Sequence, residues 1–499
     1  MRSTGTSVLF AALGAVCCLG TSFGEENRIN ETADRLVLHT DDGLNLVLTR
    51  THGAVDAIAV DGHDFPCGGV PLIRFEEVVE SPDAPDLLAV GGTARDAPAD
   101  PASLAADWGV PEDSVVDSVD GEAGPWLEVS GQDTVRPKRT VAISQREAGP
   151  LVLSGWCQAR VKGEALGWWN RNLALNADVA YAYGRRMPEQ SAYFGQYDHG
   201  PQFNARVICP DTPIERVEVD LSVPGGDCTA WYRDVRLRPA QYRITHPTSP
   251  LERIDACVHQ EFTLEKPGLD GLVTLEPTAD RIEIRCQFYG TAPLERAVSA
   301  YVAIPIDAVG GVWHDHVRGS RRIEEGGIYR DAVWYGAGRD GYNSRYPLAC
   351  IETADGVGLA LGVSVAEPRV HQFEYDAGRR ELRIRFDFGL SPDAGQWANR
   401  ASFTAYLYRY DAADGFRGAA DKYHRMFGWA FAKRVEREGL WLAFMTPTAI
   451  DRDGWEAFRF QFLESVGHMG WDERQGMYSF RYAEPWIHHH EFPPGVEAE

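Results

Sequence analysis

Glu484 stands just past the run Gly476-Met477-Tyr478-Ser479-Phe480-Arg481-Tyr482, inside Tyr482-Ala483-Glu484-Pro485-Trp486. A carboxylate at the C-terminal tip of a strand can give or take a proton in a glycosidic reaction, with a neighbouring indole holding the ring. Glu484 is therefore the candidate catalytic residue, with Trp486 and His488 as candidate substrate-binding neighbours. His488-His489-His490 does not read as a metal centre, because ligands on one chain are normally spaced. The second carboxylate such chemistry needs is not evident. Asp472 and Glu473 precede the strand, at its structural end. The bland alternative is a turn carboxylate beside exposed loop histidines.

A second constellation is aromatic. Trp168 and Trp169 stand beside Asn170 and Asn172, and Phe194 precedes Tyr197. Sugar rings have apolar C–H faces, so a binding cleft pairs aromatic plates with hydrogen-bonding side chains. Adjacent residues in a strand point to opposite faces, so only one of Trp168 and Trp169 can be such a plate. Ordinary core packing is the competing reading for each aromatic, and Trp156 is assigned to the core.

These residues must be positioned by a chain of 499 residues, long enough for two to four domains. Residues 1–24 read as a secretory signal peptide. Arg2 is the basic start, Val8 to Leu19 the apolar stretch, and Ser22-Phe23-Gly24 the small-x-small cleavage pattern. The expected location is secreted or periplasmic, with cleavage after Gly24. No apolar run is long enough to span a bilayer. The formal charge of −24 becomes −25 once Arg2 is removed. Such a surface repels phosphate backbones, and no basic run offsets it, so nucleic acid is excluded as a partner. Outside the leader the cysteines are scattered, with no CxxC spacing. Buried free thiols and a Cys209–Cys228 disulfide both remain open.

Residues 35–76 alternate apolar and polar, as in Leu44-Asn45-Leu46-Val47-Leu48, with Asp-Gly turns between the runs. Residues 77–124 are rich in Asp, Ala, Pro and Gly and read as a linker. Short strands resume over 125–240, including Val152-Leu153-Ser154-Gly155-Trp156 and Val217-Glu218-Val219-Asp220-Leu221. Strands continue over 250–414, as in Arg281-Ile282-Glu283-Ile284-Arg285. Helical spacing begins at 415–434, with Asp414 as its cap. Residues 439–499 then read as strand, helix, strand. Asp453 and Glu456 form a capping box for a helix carrying Trp455, Phe458, Phe462 and Val466 on one face. A strand–helix–strand crossover implies parallel pairing. One such unit cannot close a barrel of roughly 250 residues, so the sequence is expected to continue beyond Glu499.

Three landmarks in 125–240 carry a resemblance. Leu153-Ser154-Gly155-Trp156, Cys209-Pro210-Asp211-Thr212-Pro213-Ile214-Glu215-Arg216-Val217 and Trp231-Tyr232-Arg233-Asp234-Val235 resemble strands of jelly-roll carbohydrate-binding modules. That resemblance implies a glycan-binding module, some members of which hold a structural Ca2+. Glu128 and Asp234 could supply its carboxylates, although Arg233 stands where a second acid is usual. Residues 250–432 resemble the β-supersandwich that precedes the catalytic barrel in several glycoside hydrolase groups. Residues 35–76 would supply its first strands, which makes the module an insertion.

The expected fold is therefore mostly β: a β-supersandwich with an inserted jelly-roll β-sandwich, plus the first βαβ of a truncated (β/α) barrel. The resemblance implies the N-terminal portion of an exported glycoside hydrolase acting on polysaccharide or oligosaccharide. The portion itself is expected to bind glycan, to require no cofactor and to hydrolyse nothing. The alternative is a noncatalytic glycan-binding or cell-surface scaffold protein. The segment Tyr342-Asn343-Ser344-Arg345-Tyr346-Pro347 reads as either a domain contact or a substrate-facing loop.

Overall fold

A computed structural model describes residues 28–81, 83–88, 101–120, 122–130, 136–161, 173–181, 186–187, 190–195, 199–223, 228–434, 436, 438–442, 454–464 and 469–480. The protein is mostly β, and the chain divides into two compact units, Met1–Met426 and Phe427–Glu499.

The first unit contains two sandwiches. In the larger, five strands from Ile29–Glu31 to His63–Pro71 pair in sequence order as an antiparallel meander. A nine-stranded sheet runs from Glu252–Ile254 through Ile282–Gly290 and Arg400–Tyr410 to Gly319–Arg322. Leu36, Leu46 and Ile58 share one core with Val273, Ile284, Phe386 and Leu407, so chain ends over 300 positions apart are packed together. Period-two alternation explains this. Leu44–Thr49 buries Leu44, Leu46 and Leu48 and turns Asn45, Val47 and Thr49 outward.

The second sandwich lies between these segments in sequence. One face holds Val115–Val119, Glu122–Ser130, Leu151–Val161, His199–Ile208 and the first half of Cys228–Thr245. The other holds Lys138–Ala142, Leu173–Tyr181, Gln190–Gly195 and Ile214–Ser222. Leu153, Cys157, Leu175, Val219 and Tyr232 fill the space between. The 18-residue strand Cys228–Thr245 joins both sandwiches. Its first half pairs with Leu151–Val161, and its second half pairs Ala240–Thr245 with Phe75–Glu80. Module and sandwich are thus parts of one ten-stranded sheet, joined by a strand that runs to Thr245.

Three expectations are corrected. Residues 77–124 are not a plain linker. They include the helix Pro101–Trp108 and the paired strands Val115–Val119 and Glu122–Ser130. Pro101 suits a first helical position, where no N–H is required, and Trp108 anchors the helix to the module core. Asp414 belongs to a short 3-10 turn, Ala412–Asp414, that precedes Gly415–Met426, and the cap of that turn is Asp411. The Asp411 carboxylate accepts from the Ala413 N–H at 3.0 Å, and Gly415 takes φ 54° to redirect the chain.

In the second unit, the helix expected over 453–467 is a short turn, Trp455–Phe458, followed by the strand Phe460–Glu464. Arg459 at φ 53° separates them. Aromatics at 458, 460 and 462 satisfy period two as well as helical spacing, and strand pairing wins. Phe460–Glu464 pairs in parallel with both Leu440–Leu442 and Tyr478–Phe480. The sheet is therefore parallel with three strands, and the helix Met469–Arg474 connects the last two.

Candidate functional site

The strand Leu151–Val161 sets up the site by parity. Leu151, Leu153, Cys157 and Ala159 face the module core, so Ser154, Trp156, Gln158 and Arg160 face the other way. Gly155 is held to glycine by close approach: a Cβ there would meet Leu175 Cδ1 at 2.9 Å. The ladder to Cys228–Thr245 shifts register between Ser154 and Trp156, and Asp234 adopts φ 51° at this irregularity. The bulge brings Arg233 opposite Trp156.

A row of side chains follows across four strands. Phe203 is the cross-strand partner of Trp156, and their ring centroids lie 5.5 Å apart. The Arg233 guanidinium lies 5.6 Å from the Trp156 ring and 4.4 Å from that of Trp126. Trp126 is fully buried, Trp156 is half-buried and Phe203 is 56% exposed. Beside this row, Trp231 Nε1 donates to Glu128 Oε2 at 2.8 Å, and the Arg160 guanidinium lies 5.7 Å from the Trp231 ring. Arg160 and Gln158 both donate to Asp120. The result is a partly open aromatic step, Trp156 and Phe203, on a face that also carries charged groups. Such a surface can stack on an apolar ring face while hydrogen-bonding its periphery.

The residues expected from sequence fall differently. Trp156 lies outside the main module core, on the opposite face, where it packs partly buried against a small second core of Val119, Trp126 and Trp231. Phe194 is not a plate. It is 3% exposed and packs edge-on against Tyr232 at 6.2 Å, because its parity in Gln190–Gly195 points it inward. Trp168, Trp169, Tyr197, Glu484, Trp486 and His488 lie outside the described residues. Tyr342–Ser344, in the segment read as contact or loop, forms a hairpin with Ala332–Trp334. Trp126, Phe203 and Arg233 were missed. The apolar odd positions of Leu151–Val161 were the available signal that its even positions face outward.

Glu128 and Asp234 do not fit a Ca2+ site. Arg233 Nε and an Arg236 guanidinium nitrogen lie 3.7 and 3.8 Å from the Asp234 oxygens, so positive charge already neighbours that carboxylate. Glu128 is engaged by Trp231 instead. Among the described residues no group of three or more His, Cys, Asp or Glu side chains could hold a metal. The seven described cysteines are free thiols, six of them buried, so Cys209 and Cys228 are not bridged. Burial pushes the Cys209 thiol up against the opposing charge of Arg339. No described helix is long and apolar enough to cross a membrane.

No family model and no curated protein matches the chain. Among solved structures it is similar to the GH36 α-galactosidase AgaB of Geobacillus stearothermophilus, with TM-score 0.36, 8% identity and coverage of 90% of this chain and 56% of that one. For AgaA of the same organism the TM-score is 0.29 at 10% identity, covering 82% of this chain and 45% of that one. The chain thus spans about half the length of these two enzymes. The tandem CBM22-1–CBM22-2 domain of Paenibacillus barcinonensis Xyn10C gives TM-score 0.20 at 10% identity, covering 59% of this chain and 82% of that one. Likenesses this slight do not bear on function.

Proposed function

We propose that the protein binds polysaccharide or oligosaccharide through the outer face of the inserted module, as the N-terminal part of an exported glycoside hydrolase. The observation that carries the binding reading is the Trp156–Phe203 step, partly open to solvent, on a face that also carries the exposed pair Arg160 and Asp120. Two rings at a 59° angle offer two differently inclined plates. Successive sugars in a chain present differently inclined faces, and an open strip suits a polymer better than a closed pit does. The three-stranded parallel sheet of the second unit supports the barrel part of the proposal. Glu484 is the candidate acid/base residue. Export and cleavage after Gly24 rest on the composition of the leader.

Affinity electrophoresis of the full chain through gels containing soluble plant, algal or animal polysaccharides tests the binding reading. At least one glycan should retard the wild type, and Trp156→Ala or Phe203→Ala should weaken that retardation about tenfold, equivalent to ~1.4 kcal/mol. Retardation equal in wild type and both variants would remove this face as the site. No retardation by any glycan would remove the carbohydrate reading.

A further inference from the structure

A cavity of about 200 Å3 lies where the module meets the larger sandwich, away from the Trp156 face. The module contributes Tyr181, Met187, Cys209 and Asp211. Across from them the sandwich presents Arg330, Asp340 and the hairpin residues Ala332 and Tyr342. We propose that this cavity is a second binding site, for one neutral, polyhydroxylated ring such as a monosaccharide or a terminal sugar residue. The ligand class rests on the carbohydrate reading above; the site itself rests on the following geometry.

Size comes first. The cavity is below the ~300–1,000 Å3 typical of sites for drug-sized ligands, so it admits one ring and not an extended chain.

Charge decides the class. Arg330 bridges the two parts of the fold, 3.3 Å from Asp211 on the module side and 4.0 Å from Asp340 on the sandwich side. Glu374 stands 3.8 Å from the same guanidinium. Asp340 is further neutralised by Arg385, which donates to both its oxygens at 3.1 and 2.7 Å. Every charge lining the cavity therefore has an opposite charge close by, and an ionic ligand would meet as much repulsion as attraction. The Arg330 contacts are also long, at 3.3–4.0 Å, so the guanidinium is held loosely between the carboxylates. Hydroxyl groups both donate and accept, so a polyol can insert between carboxylate and guanidinium and satisfy both.

The apolar wall completes the fit. Tyr342 is the cross-strand partner of Trp334 in the hairpin, and Ala332 lies two residues before Trp334. Side chains so related share one face of a ribbon, so Trp334, whose ring lies over Gly336 and Gly341, stands on the same hairpin face as the lining residues Ala332 and Tyr342. Trp334 is 54% exposed, as befits an aromatic lip for the C–H face of a ring.

Saturation-transfer NMR of the full chain with galactose, glucose, mannose, xylose and myo-inositol, each at millimolar concentration, tests this. At least one should give signal in the wild type. Ala332→Phe, which fills the cavity, and Trp334→Ala, which removes an exposed lip and spares the core, should each weaken that binding at least tenfold. Trp156→Ala should leave it unchanged, and Ala332→Phe should leave polysaccharide retardation unchanged. Monosaccharide binding that survives both hairpin variants, or that is lost in Trp156→Ala, overturns the proposal. Polysaccharide retardation with no monosaccharide signal overturns the cavity site and leaves the carbohydrate reading standing. Absence of both overturns the two together.

Discussion

Arg385 clamps Asp340 with two hydrogen bonds, 2.7 and 3.1 Å long, between groups 45 positions apart. Both side chains are buried, and Arg385 also lies 3.2 Å from Asp387. The pair ties the segment after the Ala332–Trp334 strand to the sheet strand Glu381–Leu390. Removing one member of a buried ion pair strands the other, at a cost of about 3–5 kcal/mol. Because Arg385 keeps Asp387 as a partner, Asp340→Asn should lower the stability of the first unit by less than that, read from the denaturant midpoint.

The same pair predicts a pH dependence. Burial pushes the Asp340 carboxyl up, but the charge and hydrogen bonds of Arg385 outweigh it and hold the group below its usual 3.8. A depressed folded pKa means the stabilisation is complete above the unfolded value and is lost as pH falls through the folded one. Urea midpoints measured from pH 6 downward should thus drop below about pH 4, and Asp340→Asn should flatten part of that fall. An equal fall in both proteins would assign the acid sensitivity to other carboxylates.

Arg233 should matter beyond its charge. Its guanidinium stacks on buried Trp126 and lies near Trp156, an arrangement worth about 1 kcal/mol and up to about 2 when desolvated. Arg233→Ala should destabilise by that amount and also weaken polysaccharide retardation, because Trp156 loses its lateral support. A loss of stability with unchanged retardation would show that Trp156 is held without Arg233.

The thiols give a chemical check. Burial pushes Cys67 and Cys350 up to about 12, so neither is a thiolate near neutral pH. A thiol reagent at pH 8 should react slowly with the native protein. In denaturant without reductant it should count seven groups outside the leader. A count of five would mean that two of them are bridged.

Tyr232 tests the module core. Its hydroxyl donates to the Ser222 carbonyl at 2.6 Å in a fully buried setting. Tyr232→Phe should cost about 1–3 kcal/mol, since the carbonyl is left with fewer donors. Circular dichroism melts of the two proteins would resolve that difference.

Local pattern made much of the fold legible. Strict alternation in Leu44–Thr49, in Val217 to Leu221 and in Ile282 to Phe288 is a statement about single strands, and it holds wherever one face is buried. It failed where composition masked it. Pro101–Trp108 sits in an Ala- and Asp-rich stretch that reads as linker, and its anchor Trp108 is visible only against the module core. It was ambiguous at Phe458–Phe462, where the same aromatics fit two periods and only pairing with strands on both sides chose one.

By itself the sequence determined which segments are extended and how residues alternate along them. Those properties depend on neighbours a few positions away. Tertiary structure decided which face of each strand is inside, turning Phe194 into core and Trp156 outward. It also brought Asp211 to Arg330 across 119 positions. Alternation carries no sign of its own: two faces are equivalent until a second sheet covers one of them. Ion pairs between distant segments exist only once the strand Cys228–Thr245 has joined the two sandwiches, and no local spacing encodes that meeting.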